Sequence, residues 1–535
     1  MKKWICCLLA LALCLPLAAV AEAEEEMTIV LFRSGQGMPA PEDDVILPGI
    51  EEALGVNVEW NVISAEYDTQ LNVRLAGGNA PDIFEVPYLM APTYAQQGLL
   101  LDIEPYLDQM PHFKEAYTEE YLEKCYVAGG MYMIAARPYI PYADYSIRRD
   151  WLDAVGMDVP TTLEELYDVL YAFTYNDPDG NGKDDTYGIT GQGLSAFNIV
   201  FNAYGTTAPG SFLIEDNQVV YSSVDPRAKE AIAFIQTLID AGVVDPEIIT
   251  NQSMEHRDKA LSGYAGILAC SFWDLFKEAY MDQALEICPT AQWELMMGVE
   301  GPGGKYDDVY DSSNASAYFA INADLAGQTE RLNKVLELVD FLCDEETGQR
   351  LAAFGLEGTH YELDEEGNIV ALPALNDLTY SFNYLICGRD DLPYLKAKFP
   401  YLDEQIDQCG EMTTLSIYNA RVTVPEGVTA SDIERYATEE ITRFIYGERP
   451  LEEWDAYVDT LYSVYNLQAY LDLSLIHIYA ISVSSCRRPW RVERMPSVYN
   501  FSAKSVAAAD FAEKLYTEGI LSTRQGRRQL ETLMA

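Results

Sequence analysis

The sequence predicts an α/β protein built on a parallel sheet. Residues 28–32 form an apolar run of strand length, and apolar side chains alternate along 56–62 in the pattern of a strand with one covered face. Helix-like segments at 43–54 and 67–76 separate these strands from a third at 82–86. A β-α-β-α-β order joins parallel strands through right-handed crossovers, so the N-terminal part is expected to form such a sheet.

Further helices follow along the chain. Thr161-Thr162-Leu163-Glu164 forms a capping box before apolar residues at helical spacing, and Asp225-Pro226 begins another helix that stops at Gly242. Apolar residues over 332–342 predict a third helix, and 375–471 is expected to be rich in helices. The whole body is therefore predicted to be α/β, with no internal repeat.

Composition narrows the class of function. The chain has 535 residues, 85 acidic against 35 basic side chains and a net charge of -50, while 49% of its residues are hydrophobic. That length predicts two or three domains with sizeable cores. The acidity argues against nucleic acids and strongly anionic partners, and four histidines leave little room for zinc or Ser-His-Asp chemistry. An acidic, multi-domain binding protein is favoured.

The N-terminus has the pattern of a secretory signal peptide over 1–23. Lys2 and Lys3 precede an apolar run at 4–17, and small residues allow cleavage after Ala21 or Ala23. Cys14 follows Leu13 inside the apolar run, so no lipid anchor is expected. The mature chain is predicted to be exported. Its cysteines are widely spaced without a C-x-x-C motif, so buried thiols are expected at least as much as disulfides.

One loop has the pattern of a calcium site. Its oxygen ligands alternate, with a glycine at the sixth position, as in loops that wrap a single cation. The predicted ligands of a structural calcium ion are Asp177, Asp179, Asn181, Lys183 through its carbonyl, and Asp185. Gly188 stands where the twelfth-position glutamate is expected. Asp-Pro and Asn-Gly also form ordinary turns, so a metal-free turn is the alternative.

The sequence contains no complete catalytic template. Gly304-Lys305 lacks the upstream glycine and the following Ser or Thr of a phosphate-binding loop, and no nucleophile elbow or zinc-protease motif occurs. Carboxylate pairs arise by chance among 85 acids, and nothing singles out one pair. We expect no catalytic residues and predict that the protein is not an enzyme.

Several motifs, taken in order, resemble the family 1 extracellular solute-binding proteins of bacterial ABC importers, especially the large oligosaccharide-binding branch of gut Firmicutes. The similar segments cover 27–471 and include 76–83 (AGGNAPDI), 98–107 (GLLLDIEPYL), 145–152 (YSIRRDWL), 160–165 (PTTLEE), the calcium-like loop with 186–189 (TYGI), 262–266 leading to 272–274 (FWD), and 355–361 (GLEGTHY). The absent lipobox departs from the family pattern and puts membrane anchoring in doubt.

The resemblance implies a two-lobed, type II periplasmic-binding-protein-like fold with the ligand in the cleft between lobes. Lobe 1 is expected to comprise 24–141 and 313–355, and lobe 2 to comprise 142–312 and the helix-rich 356–472. Crossings between lobes are expected near 140–145, 312–318 and 354–361. Hinge closure around these segments would trap the ligand.

The resemblance also implies a receptor that delivers its ligand, a neutral oligosaccharide, to the transmembrane subunits of an ABC permease. The 37 tyrosines suit a sugar ligand, because sugar rings present apolar faces to aromatic rings. The predicted ligand-binding residues are Ser34, Asp82, Tyr88, Arg137, Tyr142, Trp273, Trp293 and Tyr361. A peptide or other polar solute is the alternative ligand, and a secreted carbohydrate-active enzyme is the alternative function. The receptor is expected to be a monomer.

The C-terminal segment 473–535 is predicted to be foreign to the native protein. It has nine basic and five acidic residues, a net charge of +4 after a strongly acidic body. Its first residues, LSLIHI, resemble translated adapter sequence from sequencing libraries. A genuine basic appendage that docks on the acidic body is the alternative.

Overall fold

The structure is a computed structural model that describes residues 27–136, 141–215, 218–387, 391–422, 424–425 and 427–474. The predicted signal peptide, Arg137 and residues 475–535 of the predicted tail lie outside the described residues.

The strands are short and distributed along the whole body of the chain. They are β1 Thr28–Ser34, β2 Asn57–Ile63, β3 Ile83–Glu85, β4 Tyr126–Val127, β5 Gly130–Met131, β6 Ile134–Ala135, β7 Tyr145–Arg148, β8 Tyr187–Thr190, β9 Phe212–Glu215, β10 Gln218–Tyr221, β11 Ala265–Ala269, β12 Trp293–Leu295, β13 Asp308–Asp311, β14 Tyr318–Ile321, β15 Tyr361–Leu363, β16 Ile369–Ala371 and β17 Thr414–Ile417.

The helices lie between and after these strands. They are α1 Leu47–Leu54, α2 Tyr67–Ala76, α3 Ala91–Gln96, α4 Pro111–Ala116, α5 Glu119–Leu122, α6 Arg149–Val155, α7 Leu163–Tyr175, α8 Asn198–Ala203, α9 Pro226–Asp240, α10 Glu255–Leu261, α11 Glu278–Ile287, α12 Thr329–Cys343, α13 Gly348–Phe354, α14 Asp391–Lys398, α15 Asp403–Gly410, α16 Ala430–Ile445 and α17 Trp454–Ser463.

The first sheet confirms the predicted N-terminal topology. Its strand order is β2-β1-β3-β14-β6, with β1 parallel to both β2 and β3, while β14 runs antiparallel to β3. Strand β1 buries four of its seven residues, and the other three are half-buried. Since β1 lies between β2 and β3, the crossovers through α1 and α2 leave in opposite directions. The carboxyl ends of β1 and β3 therefore form a topological switch point.

The second sheet has the order β12-β7-β11-β8, with β11 parallel to β8 and antiparallel to β7. Alternate residues of β11 divide between two hydrophobic cores: Ile267 belongs to the second core and Leu268 to the first. Helix α7 is capped one residue later than the predicted Thr161–Glu164 box, because the Thr162 side chain accepts a hydrogen bond from the Glu165 amide at 3.2 Å. Helix α7 buries Leu166, Leu170 and Phe173 against this sheet.

The chain passes between the two sheets at the segment from β6 to β7 and at the segment from β13 to β14. A further passage follows β17, which pairs in parallel with β13 and leads into α16 and α17 of the second core. The expected passage at 354–361 stays a prediction. Tyr361 stays in the first core, and the ring of Tyr384 lies 4.7 Å from that of Trp60 on β2. The residue limits of the two lobes stay a prediction.

Candidate functional site

A cavity of about 520 Å³ opens at the carboxyl edge of the first sheet. It lies where the chain leaves β1 and β3, because parallel strands end at one edge and their following loops diverge there. The lining residues are Ser34, Glu66, Tyr67, Asp68, Thr69, Glu85 and Pro87. This set combines one aromatic ring with hydroxyl and carboxylate groups, which can accept hydrogen bonds from a hydroxyl-rich ligand.

Glu85 is the most enclosed acid of this cavity. Its carboxylate accepts a hydrogen bond from the Ser34 amide at 3.0 Å, and the guanidinium of Arg33 lies 3.9 Å away. Burial raises the pKa of the Glu85 carboxyl, while the charge of Arg33 opposes that shift. The Tyr67 hydroxyl donates to the backbone oxygens of Phe32 and Glu85, which joins the ends of β1 and β3.

Tyr88 connects this edge to the second lobe. It follows Pro87, its ring lies 5.0 Å from that of Tyr318, and the short 3₁₀ turn that it begins touches the turn ending at Arg421. The hydroxyl of Tyr88 and Nε of Arg421 are both buried, and neither atom has a hydrogen-bond partner among the described residues. Burial raises the pKa of Tyr88, although the positive charge of Arg421 lowers it in part.

An aromatic cluster lies at the carboxyl end of β11. The ring of Trp273 lies 4.3 Å from Phe272, 5.0 Å from Phe399 and 5.5 Å from Tyr142, whose ring meets it edge-on at 82°. The ring of Phe399 also lies 6.3 Å from that of Tyr401, and Tyr401 is 47% exposed. Trp273 and Tyr142 are half-buried, so their rings remain available to a ligand. Half-buried aromatic rings can stack on the apolar face of a sugar.

Two carboxylates accompany these rings. Asp144 precedes β7, and its carbonyl accepts a hydrogen bond from the Cys270 amide at 2.8 Å. Asp274 follows Trp273 directly. Because β7 runs antiparallel to β11, the start of one strand and the end of the other meet at the same edge. The second sheet thus presents aromatic rings beside hydrogen-bond acceptors, as the cavity at the first sheet does.

The structure brings some of the predicted ligand-binding residues together and separates others. Ser34 lines the cavity and Tyr88 adjoins it, while Tyr142 and Trp273 share the aromatic cluster. Asp82 lies at the amino end of β3, at the opposite edge, where its carboxylate accepts from Val30 N and from two nitrogens of Arg331, all at 2.7 Å.

Trp293 and Tyr361 also lie away from these two edges. Trp293 begins β12, pairs with the far end of β7 at Arg148 and is 8% exposed. Tyr361 begins β15, is 5% exposed and packs near Phe354. These positions place both side chains in the hydrophobic core.

Sequence reasoning missed four residues that the structure adds to the two edges: Glu85, Asp144, Phe399 and Arg421. Glu85 carried a usable signal, because it lies near the carboxyl end of the strand predicted at 82–86. Asp144 had no such signal, because it joins this edge only through the antiparallel pairing of β7 with β11. Phe399 and Arg421 come from distant parts of the chain and had no local signal.

The predicted calcium loop joins α7 to β8. The side-chain nitrogen of Asn181 donates to the carboxylates of Asp179 at 2.7 Å and Asp185 at 2.9 Å. The backbone amide of Gly182 donates to the Asp177 carboxylate at 3.0 Å. The carboxylates of Asp179 and Asp185 thus meet at the Asn181 side chain, and their oxygens are of the kind that calcium prefers. Among the described residues, however, no three His, Cys, Asp or Glu side chains converge closely enough to hold a metal ion.

Two sheets joined by crossing segments, each with polar and aromatic side chains at one edge, are the architecture of a two-lobed binding protein. Residues 40–294 match the family model described as bacterial extracellular solute-binding protein. This part of the chain is therefore similar to a family whose members work outside the cytoplasm. In the part of the chain that the structure describes, no helix has the length and apolar character needed to cross a membrane.

Two named proteins are similar in sequence to at least half of the chain. Lipoprotein LipO of Bacillus subtilis is 27% identical over 374 residues, which cover 67% of this chain and 72% of LipO. The fructooligosaccharide ABC transporter substrate-binding protein FusA of Streptococcus pneumoniae is 26% identical over 286 residues, which cover 50% of this chain and 51% of FusA.

Solved structures confirm the fold. FusA in complex with kestose aligns over 86% of this chain and 100% of FusA, with a TM-score of 0.59 and 18% identity, and FusA has also been solved as an EF-hand mutant. A solute-binding protein of Bifidobacterium longum infantis that binds human milk oligosaccharides (HMO) aligns over 86% of this chain and 99% of its own, with a TM-score of 0.65 and 18% identity. The protein therefore has the predicted two-lobed α/β fold.

Proposed function

We propose that the protein is an extracytoplasmic receptor that binds a neutral oligosaccharide and delivers it to an ABC import permease. The observation that supports this most is the pairing of half-buried aromatic rings with carboxylates at the carboxyl edges of both sheets. Ser34, Tyr88, Tyr142 and Trp273 are the proposed ligand contacts. Arg137 stays a predicted contact.

The proposal gives the other predicted residues structural roles. Asp82 already has all of its carboxylate oxygens engaged within the first sheet, while Trp293 and Tyr361 are core residues. Glu85 and Asp144 are added as acceptors for ligand hydroxyl groups. The ligands named for FusA and the Bifidobacterium protein are oligosaccharides, which supports the same class of ligand here.

A thermal-shift screen tests the proposed function. The purified mature chain is heated with 1-kestose, human milk oligosaccharides, oligogalacturonides and short peptides. A ligand at 100 times its dissociation constant adds about 2.7 kcal/mol to the free energy of unfolding, so binding is visible as a raised Tm. We expect a neutral oligosaccharide to raise Tm. Stabilisation by peptides alone would refute the proposed ligand class.

We further propose that the protein is a monomer, is exported by cleavage after Ala21 or Ala23 and has no lipid anchor. LipO is named as a lipoprotein, so anchoring is the point at which the two proteins are expected to differ. The intact mass of the exported chain distinguishes a free N-terminus at residue 22 or 24 from a lipidated cysteine.

The loop at 177–185 is proposed to bind a structural calcium ion. Asp177, Asp179, Asn181 and Asp185 would hold the ion through side-chain oxygens, with the Lys183 carbonyl as a further oxygen ligand. Because the loop joins α7 to β8, the ion would hold this helix and this strand together and would take no part in ligand binding. The EF-hand named in the FusA structure supports a calcium loop in this family.

Replacing Asp179 by alanine is expected to lower Tm in the presence of calcium and to leave Tm unchanged in chelator, because the variant loses only metal-dependent stability. Asp184→Ala is the matched control, since it removes an exposed acid of the same loop that is outside the predicted ligand set. Wild-type protein whose melting curve ignores both calcium and chelator would show that the loop is a plain turn.

A further inference from the structure

The carboxylate of Glu85 is held by the protein through one of its two oxygens. Its Oε2 atom accepts the Ser34 amide at 3.0 Å and lies 3.9 Å from Nε of Arg33. Among the described residues, the Oε1 atom accepts no hydrogen bond, and Glu85 lines the cavity at the carboxyl edge of the first sheet. One oxygen is thus fixed by the protein, which leaves the other as an acceptor for a ligand hydroxyl group.

The side chain of Arg33 is itself fixed by a distant part of the chain. It is 10% exposed, and its Nη1 atom donates to the backbone oxygens of Asn383 at 2.9 Å and Phe382 at 3.4 Å. Its Nε atom donates to the Ser34 carbonyl at 3.0 Å. Because three backbone oxygens hold the guanidinium, its place beside Glu85 is set by the fold.

Residues 380–384 form a clasp over the loop that follows β1. Asn383 is wholly buried, and its carbonyl also accepts a hydrogen bond from Nε1 of Trp60 on β2 at 3.1 Å. The side-chain nitrogen of Asn383 donates to the Gln36 carbonyl at 3.0 Å. The ring of Tyr384 lies 4.7 Å from that of Trp60. The 380–384 clasp therefore ties the carboxyl ends of β1 and β2 to the loop between β1 and α1.

Gly35 leaves the space that the 380–384 clasp occupies. A Cβ atom at this position would lie 2.4 Å from the side-chain oxygen of Asn383 and 2.8 Å from Cγ1 of Val62. Both distances are shorter than van der Waals contact, and the close packing around the buried Asn383 leaves it little room to shift. Gly35→Ala would therefore displace Asn383 from the end of β1 while Arg33 and Glu85 keep their own side chains.

The charge of Arg33 acts directly on Glu85. Burial raises the pKa of the Glu85 carboxyl, the charge of Arg33 lowers it, and the charge of Asp68 raises it. The charged and titratable groups that face Glu85 are Arg33 from β1 with Tyr67 and Asp68 from α2, and Glu66 lines the same cavity. Without Arg33, the carboxylate would be left among acids and would be costlier to ionise.

We propose that Arg33 and Asn383 are positioning residues of the ligand cavity: the 380–384 clasp fixes the Arg33 guanidinium, which holds the Glu85 carboxylate in place as an acceptor for ligand hydroxyl groups. This rests on the proposed function, because it assumes that the cavity holds part of a sugar. A turn from the C-terminal half of the chain thus sets the affinity of a cavity whose lining lies within residues 34–87.

The first measurement needs no ligand. The free energy of unfolding of the full chain is followed from about pH 4 to 8 for wild type, Arg33→Met and Arg33→Lys, each with and without Glu85→Gln. Because the pKa of Glu85 in the folded chain is raised above 4.5, the stability that depends on Glu85 falls as the pH rises through this range and levels off once the folded carboxyl is ionised. In Arg33→Met this fall should continue to a higher pH than in wild type, whereas Arg33→Lys should restore the wild-type profile.

The second measurement uses 1-kestose and human milk oligosaccharides, the neutral probes of the thermal-shift screen. The probe that raises Tm is titrated at pH 7 into Arg33→Met, Gly35→Ala and their controls, Arg435→Met and Gly327→Ala. Arg435 is exposed on α16, and a Cβ atom at Gly327 would meet no atom within 4 Å. We expect about 10-fold weaker binding in Arg33→Met and Gly35→Ala, because a displaced acceptor loses one charge-assisted hydrogen bond, and wild-type affinity in both controls.

Each outcome decides one part of the proposal. An unchanged pH profile in Arg33→Met would refute the action of Arg33 on Glu85. A shifted profile with unchanged affinity would make these contacts purely structural and would refute the positioning role. If Arg33→Met does not fold, Gly35→Ala still decides, since binding as tight as in Gly327→Ala would refute the clasp. If neither probe raises the Tm of wild type, the proposed ligand class fails by itself, and the pH profile still shows whether Arg33 acts on Glu85.

Discussion

Replacing Asp82 by alanine is expected to lower the free energy of unfolding by about 3 kcal/mol, because it breaks a buried ion pair in the first sheet. The Asp82 carboxylate is 5% exposed and accepts two hydrogen bonds from Arg331 at 2.7 Å. It also accepts the Val30 amide of the central strand. The substitution leaves that amide and the guanidinium without their acceptor, which adds desolvation to the lost attraction.

Urea unfolding measures this loss, and exposed Asp377→Ala serves as the control, with an expected change within about 0.5 kcal/mol. The same variant separates two roles for Asp82. A structural aspartate gives low stability with unchanged affinity in the fraction that remains folded. Wild-type stability combined with a lost affinity would instead place Asp82 in the ligand site.

Replacing Trp273 by alanine is expected to weaken binding of the oligosaccharide found by screening by about 10- to 100-fold, which equals about 1.4–2.8 kcal/mol. The half-buried ring of Trp273 is the centre of the aromatic cluster and lies beside Asp274 at the edge of the second sheet. Its removal takes away the largest apolar face that this edge offers to a sugar ring.

Isothermal titration calorimetry provides the affinity, and Trp273→Phe should recover part of it because an aromatic face is restored. Tyr171→Ala is the control, since Tyr171 is 45% exposed on the outward side of α7, away from both edges. If Trp273→Ala and Tyr171→Ala bind as tightly as wild type, the aromatic cluster has no part in recognition.

Local patterns were enough to predict the elements of the first sheet. Helix α2 spans the predicted 67–76, and β1 contains the predicted 28–32, because hydrophobic periodicity and glycine stops act over a few residues. The two-lobed fold came from the ordered motifs of the family. Contacts between distant parts of the chain, such as the ring of Tyr384 against Trp60, are not reported by short-range patterns.

The candidate site was predictable only in part, for a geometrical reason. Ser34 and Tyr88 follow the ends of parallel strands, so strand-end reasoning found them. Asp82 was also chosen by that reasoning, yet it stands at the amino end of both the predicted strand 82–86 and β3, and therefore lies at the other edge. Arg421 meets Tyr88 across 333 positions of sequence, a contact that no local pattern encodes.

The central claim is that this chain binds an oligosaccharide in its cleft and returns it unaltered. The most direct measurement is a calorimetric titration of the mature chain with the oligosaccharide found by screening, followed by release of the bound sugar and its analysis by mass spectrometry. The account predicts one site per chain and recovery of the sugar at its original mass. Cleaved or otherwise modified sugar would contradict it and would indicate a secreted carbohydrate-active enzyme.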